Sequence, residues 1–424
     1  MASVMIDRSG AREHAPDAPR RQGAIRSVRY DLAERPFMII WELTRACDLA
    51  CRHCRAASQP DPDEDQLTSE EGLDLLEQVA SLGHPRPLLI LTGGDPFKRG
   101  DLYQLVTKAA RLGLPVSVSP SVTPLATKTA FASLRAAGAV AVSVSIDGAT
   151  SKTHDAFRQV DGAFERTIAA AGQCAELGLR FQVNTTVTPH DIDELAEIAL
   201  LVRSLGAMTW SVFFLVQTGR GRDLDLITAQ EADDLMGFLY EAGKHMAVKT
   251  TEAPQYRRVV LQRRVLADLG IPAETILAPL ERSVELSERF SAGLEGLDLG
   301  PRDHAAGASR AGPRRPPMNI NAGKGFVFVS HRGDVYPSGF LPVAVGNVRD
   351  AGIVSIYQSS ELLQGLRDPQ RLEGRCGSCE LASICGGSRS RAFASSGSPW
   401  GEDPLCPYRP RSFPYQTELA SYLA

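Results

Sequence analysis

This 424-residue chain lacks a strong charge imbalance, a long apolar run and a leader-like start. Its formal net charge is -4 with 23% charged residues, which gives no electrostatic reason to expect nucleic acid as the main partner. No stretch of about 18 apolar residues occurs, so no membrane span is expected. Residues 1–8 carry no apolar core of the kind a signal peptide needs. A cytoplasmic, reducing location is the default that follows, and there eight cysteines point to metal rather than to bridges. No titratable general base stands out, so the catalytic residues stay unassigned. The length allows one large domain and a smaller one.

What the chain does have is concentrated thiol. Cys47, Cys51 and Cys54 are spaced CxxxCxxC, close enough to converge on one inorganic centre. A 4Fe-4S cluster normally takes four cysteines, so three leave one iron open to a ligand that is not protein. The apolar run 36–44 before them has the length of a buried strand, which puts the thiols on a loop at a strand's C-terminal end. A zinc site competes, but it asks for four ligands, or three plus water if catalytic. A disulfide framework is disfavoured in a long chain without a secretory segment.

Around that loop the chain alternates. Residues 1–34 are rich in Arg, Ala, Pro and Asp without hydrophobic period, and are expected to form a mobile arm. Over 35–255, strand-length apolar runs (87–92, 116–118, 140–146, 180–187, 208–215, 248–251) alternate with helical stretches. One helix starts near Thr68 with acids behind it and an apolar face of Leu73, Leu75, Leu76, Val79 and Leu82. Such alternation is α/β, a parallel sheet with crossover helices; the pattern fits a partial barrel of about six strands or a doubly wound sheet equally well. It stops over 256–318, where Arg257, Arg258, Arg263 and Arg264 give a helix a cationic side, usually a solvated face and alternatively a contact for substrate carboxylates, before a linker-like 300–317. A second domain is expected over 319–424, opening with a hairpin whose arms, 326–329 and 335–336, flank the turn 331–334.

The cysteine loop closely resembles the signature of the radical S-adenosylmethionine (SAM) superfamily, with His53 where an aromatic ring is usual. The resemblance favours the partial (β/α)6 TIM-like barrel. It implies that the open iron chelates SAM and that one electron cleaves the sulfonium, giving methionine and a 5'-deoxyadenosyl radical that abstracts hydrogen. Gly93, Gly94 and Asp95, in isolation only a turn, resemble the family's GGEP element that holds the SAM amino group, with Asp95 in place of Glu. Ser145-Ile146-Asp147-Gly148 with Arg158 is similar to its SxDG…R pattern, which implies that Arg158 pairs with the methionyl carboxylate; an isolated Arg would more simply be a surface salt bridge. Asn184 is a candidate for ribose or carboxylate, or a satisfied strand-end amide. Leu215, before the turn Gly219-Arg220-Gly221, resembles the last cofactor-contacting strand, and Ser117 and Ser119 are polar lining.

Cys376, Cys379, Cys385 and Cys406 follow CxxCx5Cx20C. Four thiolates suit a structural zinc or a second 4Fe-4S cluster, and the company of a radical SAM loop favours the cluster. The segment resembles the SPASM/Twitch auxiliary-cluster region, with Ser338 where a full SPASM domain carries cysteine, which implies one auxiliary cluster. Cys174 reads as a buried small hydrophobe. Within the group the resemblance is to enzymes of alternative haem biosynthesis, which implies a tetrapyrrole propionate as substrate and a low-potential donor such as ferredoxin or flavodoxin. Two other readings stand beside it: maturation of a ribosomally made peptide, and an iron-sulfur electron carrier that never cleaves SAM.

Overall fold

The computed structural model describes residues 30–277, 281–297 and 319–423. The expected arm, up to residue 29, and the linker expected over 300–317 lie outside the described residues.

Seven strands form the first part of the sheet: β1 (Met38–Glu42), β2 (Leu88–Thr92), β3 (Val116–Val118), β4 (Ala141–Ser145), β5 (Phe181–Val187), β6 (Thr209–Phe214) and β7 (Val248–Thr251). They pair in parallel and in sequence order. A doubly wound sheet reverses its strand order at a switch point, and this one does not, so the fold is α/β with a partial barrel.

The segment beginning at 319 continues this sheet. It adds β8 (Asn321–Ala322), β9 (Gly325–Val329), β10 (Asp334–Tyr336) and β11 (Gly346–Asn347). β9 lies parallel to β1, with Met38 opposite Phe326 and Trp41 opposite Val329, and β10 returns antiparallel to β9 as the expected hairpin.

Pleating sorts the side chains. Ile39, Trp41, Leu89, Leu91, Val183 and Val212 are fully or almost fully buried in the apolar layer under the helices. Parallel strands usually read as unbroken apolar runs. Here the opposite face carries Ser143, Ser145, Gln182, Asn184 and Ser211, a polar lining that belongs to a chamber rather than to a packed core.

Helix Ser69–Ser81 begins as its sequence dictates: Glu71 N donates to Thr68 Oγ1 (3.2 Å) and Thr68 N donates back to Glu71 Oε2 (2.8 Å). Among the helices absent from the sequence reading are Leu102–Arg111, Ser151–Arg158 and Glu281–Glu295, together with those beyond residue 350.

Glu42, the last residue of β1, ties β1 to the β9–β10 hairpin. It is buried, ion-paired to Arg55, and 2.7 Å from His331 Nδ1, whose Nε2 lies 3.3 Å from Asp63. Burial alone would raise its carboxyl; the Arg55 charge and the His331 contact outweigh it and hold the group at about 2 against an ordinary 4.5. A folded value below the unfolded one contributes stability that is present above about pH 4.5 and lost as pH falls toward 2. Glu42→Gln leaves the half-buried Arg55 without its counter-charge and is expected to cost about 2 kcal/mol in an anaerobic urea melt. The variant should also lose part of the acid limb below pH 4.5; a limb identical to wild type would show that Glu42 does not carry it.

Candidate active site

The loop after β1 folds back on itself. Cys47 N donates to Gln59 O (2.7 Å) and Gln59 N to Arg45 O (3.0 Å), which turns the three sulfurs toward the end of the sheet. Each sulfur receives an N–H: Leu49 N to Cys47 Sγ (3.4 Å), Arg158 Nη1 to Cys51 Sγ (3.6 Å) and Ser58 N to Cys54 Sγ (3.5 Å). Donors aimed at sulfur stabilise thiolate, the form that binds iron. As free thiols Cys47 and Cys51 are pushed up by burial, so the charged form needs a metal beside it.

A cavity of about 1200 Å³, open to solvent, spreads from this loop over the strand ends. Of the candidates, Cys47, Cys51, Cys54, Gly93, Gly94, Ser145, Arg158, Asn184 and Leu215 all line it. Ser119 lines it too, hydrogen-bonded to Ser143 at 2.5 Å, whereas Ser117 donates to Ala141 O instead.

Asp95 is the exception. It is fully buried, with its carboxylate accepting from Phe97 N (3.1 Å) and Thr123 Oγ1 (2.6 Å), so it caps the turn Pro96–Lys98 and faces away from the cavity. Burial raises its carboxyl, opposed by the Thr123 bond. What the cavity meets here is the Gly93–Gly94 backbone. A Cβ on Gly94 would lie 2.3 Å from Ala46 O, so only glycine lets this turn seat on the cysteine loop.

Arg158 ends helix Ser151–Arg158 and points back to the cysteine loop. Asp147, almost fully buried, ion-pairs with it while accepting from Thr186 N (2.7 Å). Burial would lower the guanidinium, and Asp147 with Cys51 raises it instead. One edge of the fork expected to meet a methionyl carboxylate is therefore engaged by Asp147, and its Nε is buried with no partner among the described residues. Asn184 accepts from Gln182 Nε2 (2.6 Å) and has its amide nitrogen free among the described residues. His53 stacks on Phe157 with ring centroids 4.6 Å apart, and burial lowers it to about 4, so the ring is a neutral wall. The ion pair with Asp147, the sulfur contact and the His53 stack are set by chain folding and have no one-dimensional signature.

The other four cysteines ring a second, smaller cavity of about 390 Å³. Gly387 N donates to Cys385 Sγ (3.5 Å) and Arg389 Nη2 to Cys376 Sγ (3.5 Å). Gly387 has φ +67, and a Cβ there would sit 3.0 Å from the Cys376 sulfur, so glycine allows backbone and thiol to meet. Burial pushes Cys379 and Cys406 up to about 12 and Cys385 to about 11, so these sulfurs ionise only with a strong cation among them. Among the described residues no three His, Cys, Asp or Glu gather as they would around a single ion.

Arg257 and Arg258, the cationic side expected to be solvated or to meet substrate, are engaged inside the protein. Arg257 donates to Ile384 O (2.5 Å) and Ile320 O, which fastens the Cys385 loop, and Arg258 pairs with Asp233. Ser338 is 2% exposed and donates to Glu252 Oε1 (3.0 Å), the carboxylate that also takes the hydroxyls of Ser388 and Ser390. The position where a further sulfur would stand thus joins the end of β7 to the cysteine region.

Among the described residues no helix is long and apolar enough to cross a membrane. The model of the radical SAM superfamily matches residues 41–202, from within β1 to the helix before β6. The AdoMet-dependent heme synthase of Oleidesulfovibrio alaskensis is 37% identical over 381 residues, 89% of this chain and 88% of that one. The protein of the same name from Methanosarcina barkeri is 37% identical over 377 residues, covering 88% and 97%. Among solved structures, Streptococcus suis SuiB bound to S-adenosylmethionine superposes with a TM-score of 0.62 at 14% identity, covering 88% of this chain and 78% of that chain, a likeness of fold. Identity at this level along almost the full length of its relatives, with the family model starting inside the strand that presents the cysteines, means that the chain belongs to the radical SAM superfamily and is a SAM-dependent enzyme with a 4Fe-4S cluster.

Proposed function

We propose that the enzyme removes hydrogen from a propionate side chain of a tetrapyrrole, with Cys47, Cys51 and Cys54 holding the SAM-binding cluster and Cys376, Cys379, Cys385 and Cys406 a second 4Fe-4S cluster. The observation that carries the substrate class is the 37% identity, across nearly the whole length, to proteins named AdoMet-dependent heme synthase. Bound at the open iron, SAM supplies on one-electron reduction a 5'-deoxyadenosyl radical able to take hydrogen from unreactive carbon.

The chain's own residues bind and orient. Gly93 and Gly94 offer backbone, Ser145 and Asn184 offer side-chain polar groups, Arg158 offers its remaining donor, and Leu215 an apolar wall. Over 35–255 the barrel serves the cofactor, and over 319–424 Cys376, Cys379, Cys385 and Cys406 of the appended segment would hold the second cluster, which would supply a one-electron acceptor for the substrate. The ring of four thiols around one cavity, with N–H donors on Cys376 and Cys385, supports iron and sulfur there in the company of the radical SAM loop. The first electron comes from a low-potential donor such as ferredoxin or flavodoxin.

Anaerobic titration with a propionate-bearing iron porphyrin, followed through its absorption band, is expected to saturate at one per chain. Incubation with SAM and reductant should then give deoxyadenosine and a porphyrin of lower mass than the one supplied. No band shift, together with capture of a short peptide from a neighbouring reading frame, would overturn the substrate class and leave the SAM chemistry standing.

A further inference from the structure

Sheet register places four polar residues in one line. Ser145 pairs with Asn184, Asn184 with Ser211, and Ser211 with Lys249, so the row crosses β4, β5, β6 and β7. Residues in register share a face. Ser145 and Asn184 line the cavity, and two residues on from Ser211 along the same face Phe213 lines it as well. On the other face Val248 packs against the apolar layer with Trp210, so Lys249 is turned inward.

The end of this row is chemically unfinished. Among the described residues nothing hydrogen-bonds or ion-pairs with the Lys249 ammonium, although it is partly buried, and burial alone pulls it down to about 8. Beside it Ser211 is fully buried with its hydroxyl unpartnered. A cation taken from water without a counter-charge destabilises a fold, and natural cores pair theirs. The neighbouring arginines illustrate this: Arg158, Arg257 and Arg258 are each engaged with a carboxylate or with carbonyls. Two adjacent donors without an acceptor, in the same row as the cavity-lining Ser145 and Asn184 and next to them across the sheet, match an anion that arrives with the ligand.

We propose that Lys249, with Ser211 beside it, is the anchor for a carboxylate of the substrate. The assignment rests on the tetrapyrrole reading, because propionates are the carboxylates such a substrate carries. Strands are spaced about 4.8 Å apart, so Lys249 starts roughly 10 Å across the sheet from Asn184, beyond the groups assigned to SAM and toward the β7 edge that Glu252 joins to the second cysteine region. The methionyl carboxylate of SAM offers the same chemistry, and the experiment separates the two sources.

Reconstituted full-length wild type, Lys249→Met and Lys249→Arg are titrated anaerobically with a propionate-bearing iron porphyrin and with the same porphyrin fully esterified. In parallel, SAM binding and dithionite-driven deoxyadenosine formation without substrate are measured. Lys249→Met is expected to weaken the acid porphyrin about ten- to a hundredfold, with Lys249→Arg retaining most of the affinity, the ester bound alike by wild type and Lys249→Met, and SAM cleavage unchanged. Its melting temperature should be no lower than wild type, because an unpaired cation has been removed. Equal affinity of wild type and Lys249→Met for the acid porphyrin overturns the anchor alone, and so does a loss of SAM affinity in its place. Failure of wild type itself to bind either porphyrin overturns the tetrapyrrole reading and this assignment with it.

Discussion

Cys51→Ala is expected to end deoxyadenosine formation, and Cys379→Ala to leave it running while stopping product. The two cysteine sets sit in separate cavities, one under the Gly93–Gly94 turn and one behind Gly387, with no lining residue in common. With three thiolates at the first site there is no spare ligand: removing Cys51 leaves two, and the Arg158 guanidinium loses the sulfur it contacts at 3.6 Å. Two thiolates do not hold a cuboidal cluster, so SAM has no iron on which to be reduced. Reconstituted wild type should carry about eight irons per chain and Cys51→Ala about four, whereas Cys379→Ala leaves three thiolates, the number that serves the first site, and should keep more than four. The irons missing from Cys51→Ala are those that would cleave SAM; in Cys379→Ala the altered site is the one that would accept the substrate's electron. The readouts are iron content, deoxyadenosine and porphyrin mass in the same samples. Equal deoxyadenosine from both variants would remove the division of labour, and zinc at the second site would remove its redox role.

The residues that do this work differ in how visible they are in one dimension. Cysteine spacing is local, so all seven candidate ligands could be named and their strand-end loop placed from the apolar run before it. The parallel strands followed from their alternation with helices and the family resemblance favoured the partial barrel, yet from alternation alone the choice against a doubly wound sheet needed the strand order that pairing gives. The stripe Leu102, Leu105, Val106 and Ala109 is a plain helical period that the reading passes over, although a parallel crossover from β2 to β3 requires an element there. Asp95 reads as a ligand from its place after two glycines, but its short side chain reaches the backbone of its own turn first. Arg257 and Arg258 read as part of a cationic side because Arg257's carbonyl partners more than sixty residues away, and Arg258's partner Asp233 on another helix, leave no local trace. Lys249 shows the converse. Nothing in Val248–Thr251 distinguishes it, and it becomes informative only when register sets it beside Ser211 and no acid among the described residues reaches it.

Gly219→Ala should inactivate the enzyme almost as completely as loss of a cysteine, without touching a ligand. The turn Gly219–Asp223 after β6 is pressed on the cysteine loop, with Arg220 N donating to Cys54 O (3.0 Å). Arg220 also clamps the loop from within, through Nε to Cys51 O (2.9 Å) and Nη1 to Ser58 O (2.9 Å). Gly219 has φ +56, and a Cβ there would lie 2.3 Å from Arg55 O and 2.5 Å from Cys54 O. Both obstacles are backbone, so a methyl cannot be accommodated by a side-chain rotation, and the turn must lift off the loop or the loop must move. Either displaces Cys51 and Cys54 from a cluster that tolerates little error in ligand position. Gly219→Ala is expected to lose about four irons and to form deoxyadenosine at least a hundredfold more slowly, while the second site keeps its iron. Arg220→Lys separates the clamp from the close approach: a lysine cannot reach Cys51 O and Ser58 O in the same geometry, so it should assemble the cluster and lose it faster on exposure to a chelator. Full iron and full cleavage in Gly219→Ala would mean that the turn rests beside the cysteine loop without positioning it.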